Sequence, residues 1–141
     1  STHSGKNTGP SPGLKCVVRA ESTTGSVLTS EYSLCGVRET AEDVGSVVAA
    51  LLFDEVQRGG YVDSCTSSLG FLLIAFSVEE ISRINVGLVT QTGVKVLREI
   101  KRYTGVEMKV EKIVGGAGGG GGGVKVTGMG IGLKNTAKKV T

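Results

Sequence analysis

The sequence predicts an α/β fold, a two-layer arrangement in which helices cover one face of a mixed sheet. Three observations carry this. β-rich runs around glycine-containing connections stand at both ends of the chain. Three stretches with apolar residues at helical spacing lie between them. The resulting order, β-β-α-α-(β)-α-β-β, buries both sets of apolar residues only if the helices lie against the sheet.

The elements follow in turn. Ser1–Gly13, rich in Ser, Thr, Gly and Pro, reads as a loop. Leu14–Glu21 and Ser26–Leu34 flank a Thr23-Thr24-Gly25 turn and predict an antiparallel hairpin, with Leu28, Tyr32 and Leu34 on one side. Thr40 and Asp43 have the spacing of a capping box. Val44, Val47, Val48, Leu51, Leu52 and Val56 then form the apolar face of a helix, with Glu42, Asp54, Glu55 and Arg58 on its wet side, and Gly59-Gly60 as the stop.

Ser64 or Thr66 opens a second helix running through Leu69–Phe76, so apolar that burial all round is expected. An extended piece around Ile84–Leu88 leads to a third helix from about Thr90. Its core face carries Val94, Leu97 and Ile100, and Gly105 ends it. Val106–Val114 alternates as a strand, and Val124–Leu133 is the last strand, interrupted by Gly128, Gly130 and Gly132. A tail with Lys134, Lys138 and Lys139 follows.

Composition narrows the function classes. The chain has 141 residues, 39% of them hydrophobic and 21% charged, with no Trp. That is enough for one core built mainly from Val, Leu and Ile. A net charge of +3 and a pI near 8.8 permit an acidic or phosphate-bearing partner without requiring one. Cys16, Cys35 and Cys65 are odd in number and widely spaced, which fits a reduced compartment better than a disulfide framework. A zinc site would need all three plus His3, the lone histidine, so no metal is expected. No apolar run approaches the roughly 20 residues of a membrane span, and no membrane partner is expected. The start lacks an initiator Met and a signal pattern, and reads as the truncated start of a fragment.

The motifs give little catalytic chemistry. The glycine run Gly115–Gly123, broken only by Ala117, leads into Val124-Lys125-Val126, a strand. A phosphate cradle would instead feed a helix N-terminus with Lys and Ser or Thr after the last glycine, so the run is read as a hairpin connection. No Ser-His or Cys-His pair is easily assembled around His3. Asp63, in a Gly-Gly-Tyr-Val-Asp stretch, reads as a turn or helix-entry carboxylate. The third helix is the most informative surface: Lys95, Arg98 and Arg102 share a face at i, i+3 and i+7, with Glu99 and Lys101 beside them. On composition alone the stripe reads first as an ordinary wet face, and second as a surface suited to phosphates or an acidic partner.

Five segments in order, Gly5–Gly13, Ala20–Gly25, Glu42–Gly45, Arg58–Asp63 and Gly128–Gly132, resemble the last third of the RNA 3′-terminal phosphate cyclase superfamily. The resemblance covers nearly the whole chain except the glycine insert. It implies that 1–13 is an N-terminal loop and 14–141 a C-terminal repeat of the large domain. That repeat would be the last β-α-β-α-β-β-type unit, similar to the C-terminal domain of translation initiation factor three, with the preceding hairpin and a Gly-rich loop at 115–123.

True cyclases are adenylylated on a histidine just before the third helix; Val89 occupies that place here. Where they carry an Asp-Gln pair that helps hold the nucleotide, this chain has Ser68-Leu69. These departures resemble the inactive cyclase-like branch. They imply a non-catalytic ribosome biogenesis factor of the nucleus and nucleolus, without cofactors, acting in pre-rRNA processing and 18S rRNA maturation. The partners implied are the small-subunit processome, pre-rRNA and a ribosome-assembly GTPase, with Arg98, Glu99, Lys101 and Arg102 as the binding residues. The alternatives are a pre-rRNA endonuclease using Arg98, Glu99 and Lys101, and an active cyclase with a relocated nucleophile.

Overall fold

A computed structural model describes residues 13–34, 40–113, 122–134 and 137. The expected N-terminal loop, His3, Cys35, most of the glycine run and Lys138 and Lys139 lie outside the described residues. The observed order is β1 (Lys15–Glu21), β2 (Val27–Ser33), α1 (Ala41–Arg58), α2 (Ser67–Phe76), β3 (Ile81–Val86), α3 (Gln91–Thr104), β4 (Lys109–Lys112) and β5 (Val124–Met129). This is the α/β order expected.

β1 and β2 pair antiparallel from Lys15↔Ser33 to Glu21↔Val27. Alternation along β1 turns Cys16, Val18 and Ala20 inward, opposite Tyr32, Ser30 and Leu28. α1 lies against this hairpin, and the Ser30 hydroxyl donates to the Val48 carbonyl at 2.9 Å. The capping box forms as read. The Asp43 N–H donates to the Thr40 hydroxyl, and the Asp43 carboxylate accepts from the Thr40 N–H at 2.9 Å.

Two expectations for α1 change. Val44 and Val48 are buried, whereas Val47, Leu51 and Val56 are exposed. A two-strand ribbon is too narrow to cover every apolar side of an 18-residue helix. Glu55, placed on the wet side by its charge, is buried instead. Its carboxylate accepts the Ser64 N–H at 3.0 Å and the Ser64 hydroxyl, joining α1 to the turn before α2. Arg58 stands 3.6 Å from it. The burial is thus satisfied by hydrogen bonds and a cation.

The second sheet has the order β3-β5-β4, with both pairings antiparallel. The sheet is therefore divided in two, and its mixed character is confined to a parallel bridge, Val62↔Val86, at the β3 edge. α2 and α3 pack on the three-stranded sheet, where Phe71, Ala75, Val86, Ile100 and Val126 form one buried cluster. α2 is not buried all round: Ser67, Phe71, Ile74 and Ala75 face inward, while Leu69, Leu73 and Phe76 stand on the exposed side. Only one side of a helix can face one sheet, whatever its composition.

β1, β2, β4 and β5 are shorter than read, whereas β3 is displaced rather than shortened. β3 begins at Ile81, earlier than expected, and stops at Val86; β5 stops at Met129. The Ile113 N–H donates to the Gly123 carbonyl at 2.8 Å, so the two strands are joined across the glycine run as a hairpin. Gly128 and Gly130 serve close packing. A Cβ on Gly128 would stand 2.9 Å from Ile74 Cγ2, and one on Gly130 would collide with the Ser77 and Val78 carbonyls. No helix among the described residues is long and apolar enough to cross a membrane.

Candidate functional site

α3 starts where the Thr90 hydroxyl accepts the Gly93 N–H at 3.0 Å, and ends at Gly105 in the left-handed conformation. Gly93 and Ile100 are buried, with Val96 and Leu97 packed against the core. Val94, expected on the core face, is 37% exposed because the helix is rotated so that Gly93 and Ile100 lead into the core.

That rotation distributes the four candidate residues. Arg98 and Arg102 are exposed, one helical turn apart on the side away from the core, with Lys95 one turn earlier. The Arg102 guanidinium lies over the Tyr103 ring, 5.9 Å from its centre. Glu99 instead lies at an apolar groove of about 260 Å³ between α2 and α3, alongside Leu72, Phe76, Val96 and Tyr103. Lys101 points to the other flank and pairs with Glu107, whose carboxyl is held below its ordinary range by that lysine. Arg98 and Arg102 are thus brought together, and Glu99 and Lys101 are not.

Val89 precedes α3 and is half-buried against the core cluster, within reach of Gly93. It behaves as an aliphatic filler. In the segment Ser68-Leu69, Leu69 is more than half exposed on α2.

Two of the quoted segments, Ala20–Gly25 and Arg58–Asp63, meet at a second cavity of about 510 Å³. Thr24, Gly25 and Ser26 of the β1–β2 turn face Tyr61, Asp63 and Thr66 there. Asp63 is buried, and its carboxylate accepts from the Thr29 N–H (3.2 Å) and hydroxyl (2.8 Å) and from the Thr66 N–H (2.7 Å). Burial pushes this carboxyl up, but the hydrogen bonds from Thr29 and Thr66 outweigh it and hold the carboxyl below its ordinary value. Asp63 therefore ties the hairpin to the entry of α2, in line with its reading as a turn carboxylate. Cys65, beside it, is exposed, and burial together with Asp63, Glu55 and Glu31 pushes its thiol up, which disfavours the nucleophilic thiolate.

Glu55 was not legible as a site-building residue, since charge on a helix usually marks the wet side. The available signal was Ser64 nine residues on, in the turn after the Gly59-Gly60 stop.

A three-stranded sheet with two helices on one face, joined to a hairpin that carries its own helix, defines an α/β unit. No family model matches the chain. Among curated proteins, the human RNA 3′-terminal phosphate cyclase-like protein is 34% identical over 139 residues, covering 95% of this chain and 37% of the human protein. The Arabidopsis thaliana probable RNA 3′-terminal phosphate cyclase-like protein is 33% identical over 76% of this chain and 32% of its own length. The Schizosaccharomyces pombe rRNA processing protein rcl1 is 30% identical over 96% of this chain and 36% of its own length. The chain belongs to the RNA 3′-terminal phosphate cyclase-like family, and it spans 37% of the length of its human relative.

Proposed function

We propose that the chain is part of a non-catalytic factor for pre-rRNA processing and 18S rRNA maturation. It acts in the nucleolus, within the small-subunit processome and beside a ribosome-assembly GTPase. The observation that carries this is the pairing of likeness with loss. A relative of the chain is named for rRNA processing, and Val89 packs into the core at the position where the superfamily's histidine nucleophile is expected. An isopropyl group has no lone pair with which to take up AMP.

The outward pair Arg98 and Arg102 is the docking surface for the GTPase or the RNA, through charge-assisted contacts. The divergence of Glu99 and Lys101 on the two flanks of α3 supports docking over a nuclease site built from Arg98, Glu99 and Lys101. The test uses the full-length parent in cells, carrying Arg98→Glu with Arg102→Glu. Capture of the GTPase is expected to fall about tenfold, the effect of losing roughly 1.4 kcal/mol of contact, and 18S precursors are expected to accumulate. Unchanged capture and unchanged precursors would remove the docking assignment.

A further inference from the structure

The three-stranded sheet has a face that neither α2 nor α3 covers. Val126 is fully buried, so strand alternation turns Lys125, Thr127 and Met129 to the opposite side. The register then aligns two rows across that side. One row is Arg83–Thr127–Lys109, and the next is Asn85–Lys125–Glu111. Arg83 and Lys109 are exposed, and Lys125 is partly so. These two rows present three cations and a single carboxylate, and the exposed Ile81 and Met129 add an apolar end to the face. That carboxylate, Glu111, is bracketed by Lys109 at 2.8 Å and Lys125 at 3.3 Å, and these pairs hold it below its ordinary range. Arg83 forms no ion pair among the described residues.

We infer that this open sheet face binds the phosphodiester backbone of RNA. The inference rests on the rRNA-processing reading and names a surface distinct from the α3 stripe. Charge complementarity selects the occupant: Arg, Lys and Asn side chains are groups that contact phosphate and sugar. The face carries no aromatic residue on either row, so bases have no stacking platform, and binding is to backbone without sequence preference.

The experiment measures fluorescence anisotropy of a labelled single-stranded RNA of mixed sequence with the 141-residue chain across a salt series. The variants are Arg83→Glu, Lys109→Glu and Lys125→Glu combined, and Arg83→Gln alone, which breaks no ion pair and leaves the fold intact. The triple variant is expected to bind at least about tenfold more weakly. Its log–log salt slope should shrink by about 2, since each contact with a single strand contributes roughly 0.7. Arg83→Gln should shift affinity about two- to fivefold, with a slope smaller by roughly 0.7. RNA affinity and slope unchanged in both variants would overturn the inference. Loss of RNA binding in the triple variant, together with normal 18S precursors in cells carrying it, would uphold the sheet face as an RNA surface and show that processing does not require it.

Discussion

Asp63 and Thr29, 34 positions apart, are joined twice: the Asp63 carboxylate accepts both the N–H and the hydroxyl of Thr29. The bond spans from β2 to the turn before α2. It ties the hairpin to the segment that opens α2. Asp63→Ala leaves the Thr29 and Thr66 donors short of an acceptor, and is expected to cost about 2 kcal/mol. Thr29→Val keeps the backbone bond and should cost about 1 kcal/mol. Urea denaturation of the three proteins measures both; equal stability would show the link to be idle.

The same carboxylate sets an acid limit. Its pKa in the folded chain lies below the ordinary value of 3.8, so the folded state holds the proton less tightly than the unfolded chain does. The stabilisation is complete above that ordinary value and is lost as pH falls through the folded pKa. Stability is expected to decline as pH drops below about 4, and to decline less steeply in Asp63→Asn. A pH series of urea midpoints checks this, and parallel curves for the two proteins would contradict it.

Gly130→Ala and Gly128→Ala test how β5 fits against the end of α2. The added methyl on Gly130 meets two backbone carbonyls, which cannot step aside, whereas that on Gly128 meets the ends of Ile74 and Met108. Gly130→Ala is expected to destabilise by about 3 kcal/mol and Gly128→Ala by about 1 kcal/mol. Thermal melts should rank them in that order. The reverse ranking would mean that the Gly-Met-Gly-Ile-Gly segment is not governed by packing.

The two sides of α2 should respond oppositely to truncation. Phe71 is fully buried, and Phe71→Ala is expected to cost about 3 to 5 kcal/mol. Leu73 is 64% exposed in this chain, and Leu73→Ala should change stability by less than about 0.5 kcal/mol. Calorimetry of the two variants distinguishes a one-sided helix from a helix buried all round.

The order of elements was legible because each rests on local chemistry: the Thr40–Asp43 box, the Gly59 and Gly105 stops, and the alternation of Leu28, Tyr32 and Leu34 through β2. The register of α1 was less so. Val47, Leu51 and Val56 are as apolar as Val44 and Val48, and only the width of the hairpin decides which are covered. Glu55 was misplaced because a charge reads as wet until its acceptor role for Ser64 is seen. Grouping of the α3 candidates also exceeded what i, i+3 and i+4 spacing can tell. Glu99 and Lys101 are two residues apart, and their opposite surroundings come from α2 on one flank and Glu107 on the other. The split into two sheets was hidden for a similar reason, since strand partners are chosen across long loops.

The central claim is that Val89 leaves this chain without the adenylyl-transfer step, so that its part in pre-rRNA processing is to bind. Incubating the purified full-length parent with α-labelled ATP, magnesium and a 3′-phosphorylated RNA tests it most directly, with an active cyclase alongside. The account predicts no label retained on the protein after denaturing electrophoresis and no cyclic phosphate on the RNA. A labelled protein band that survives denaturation would contradict it.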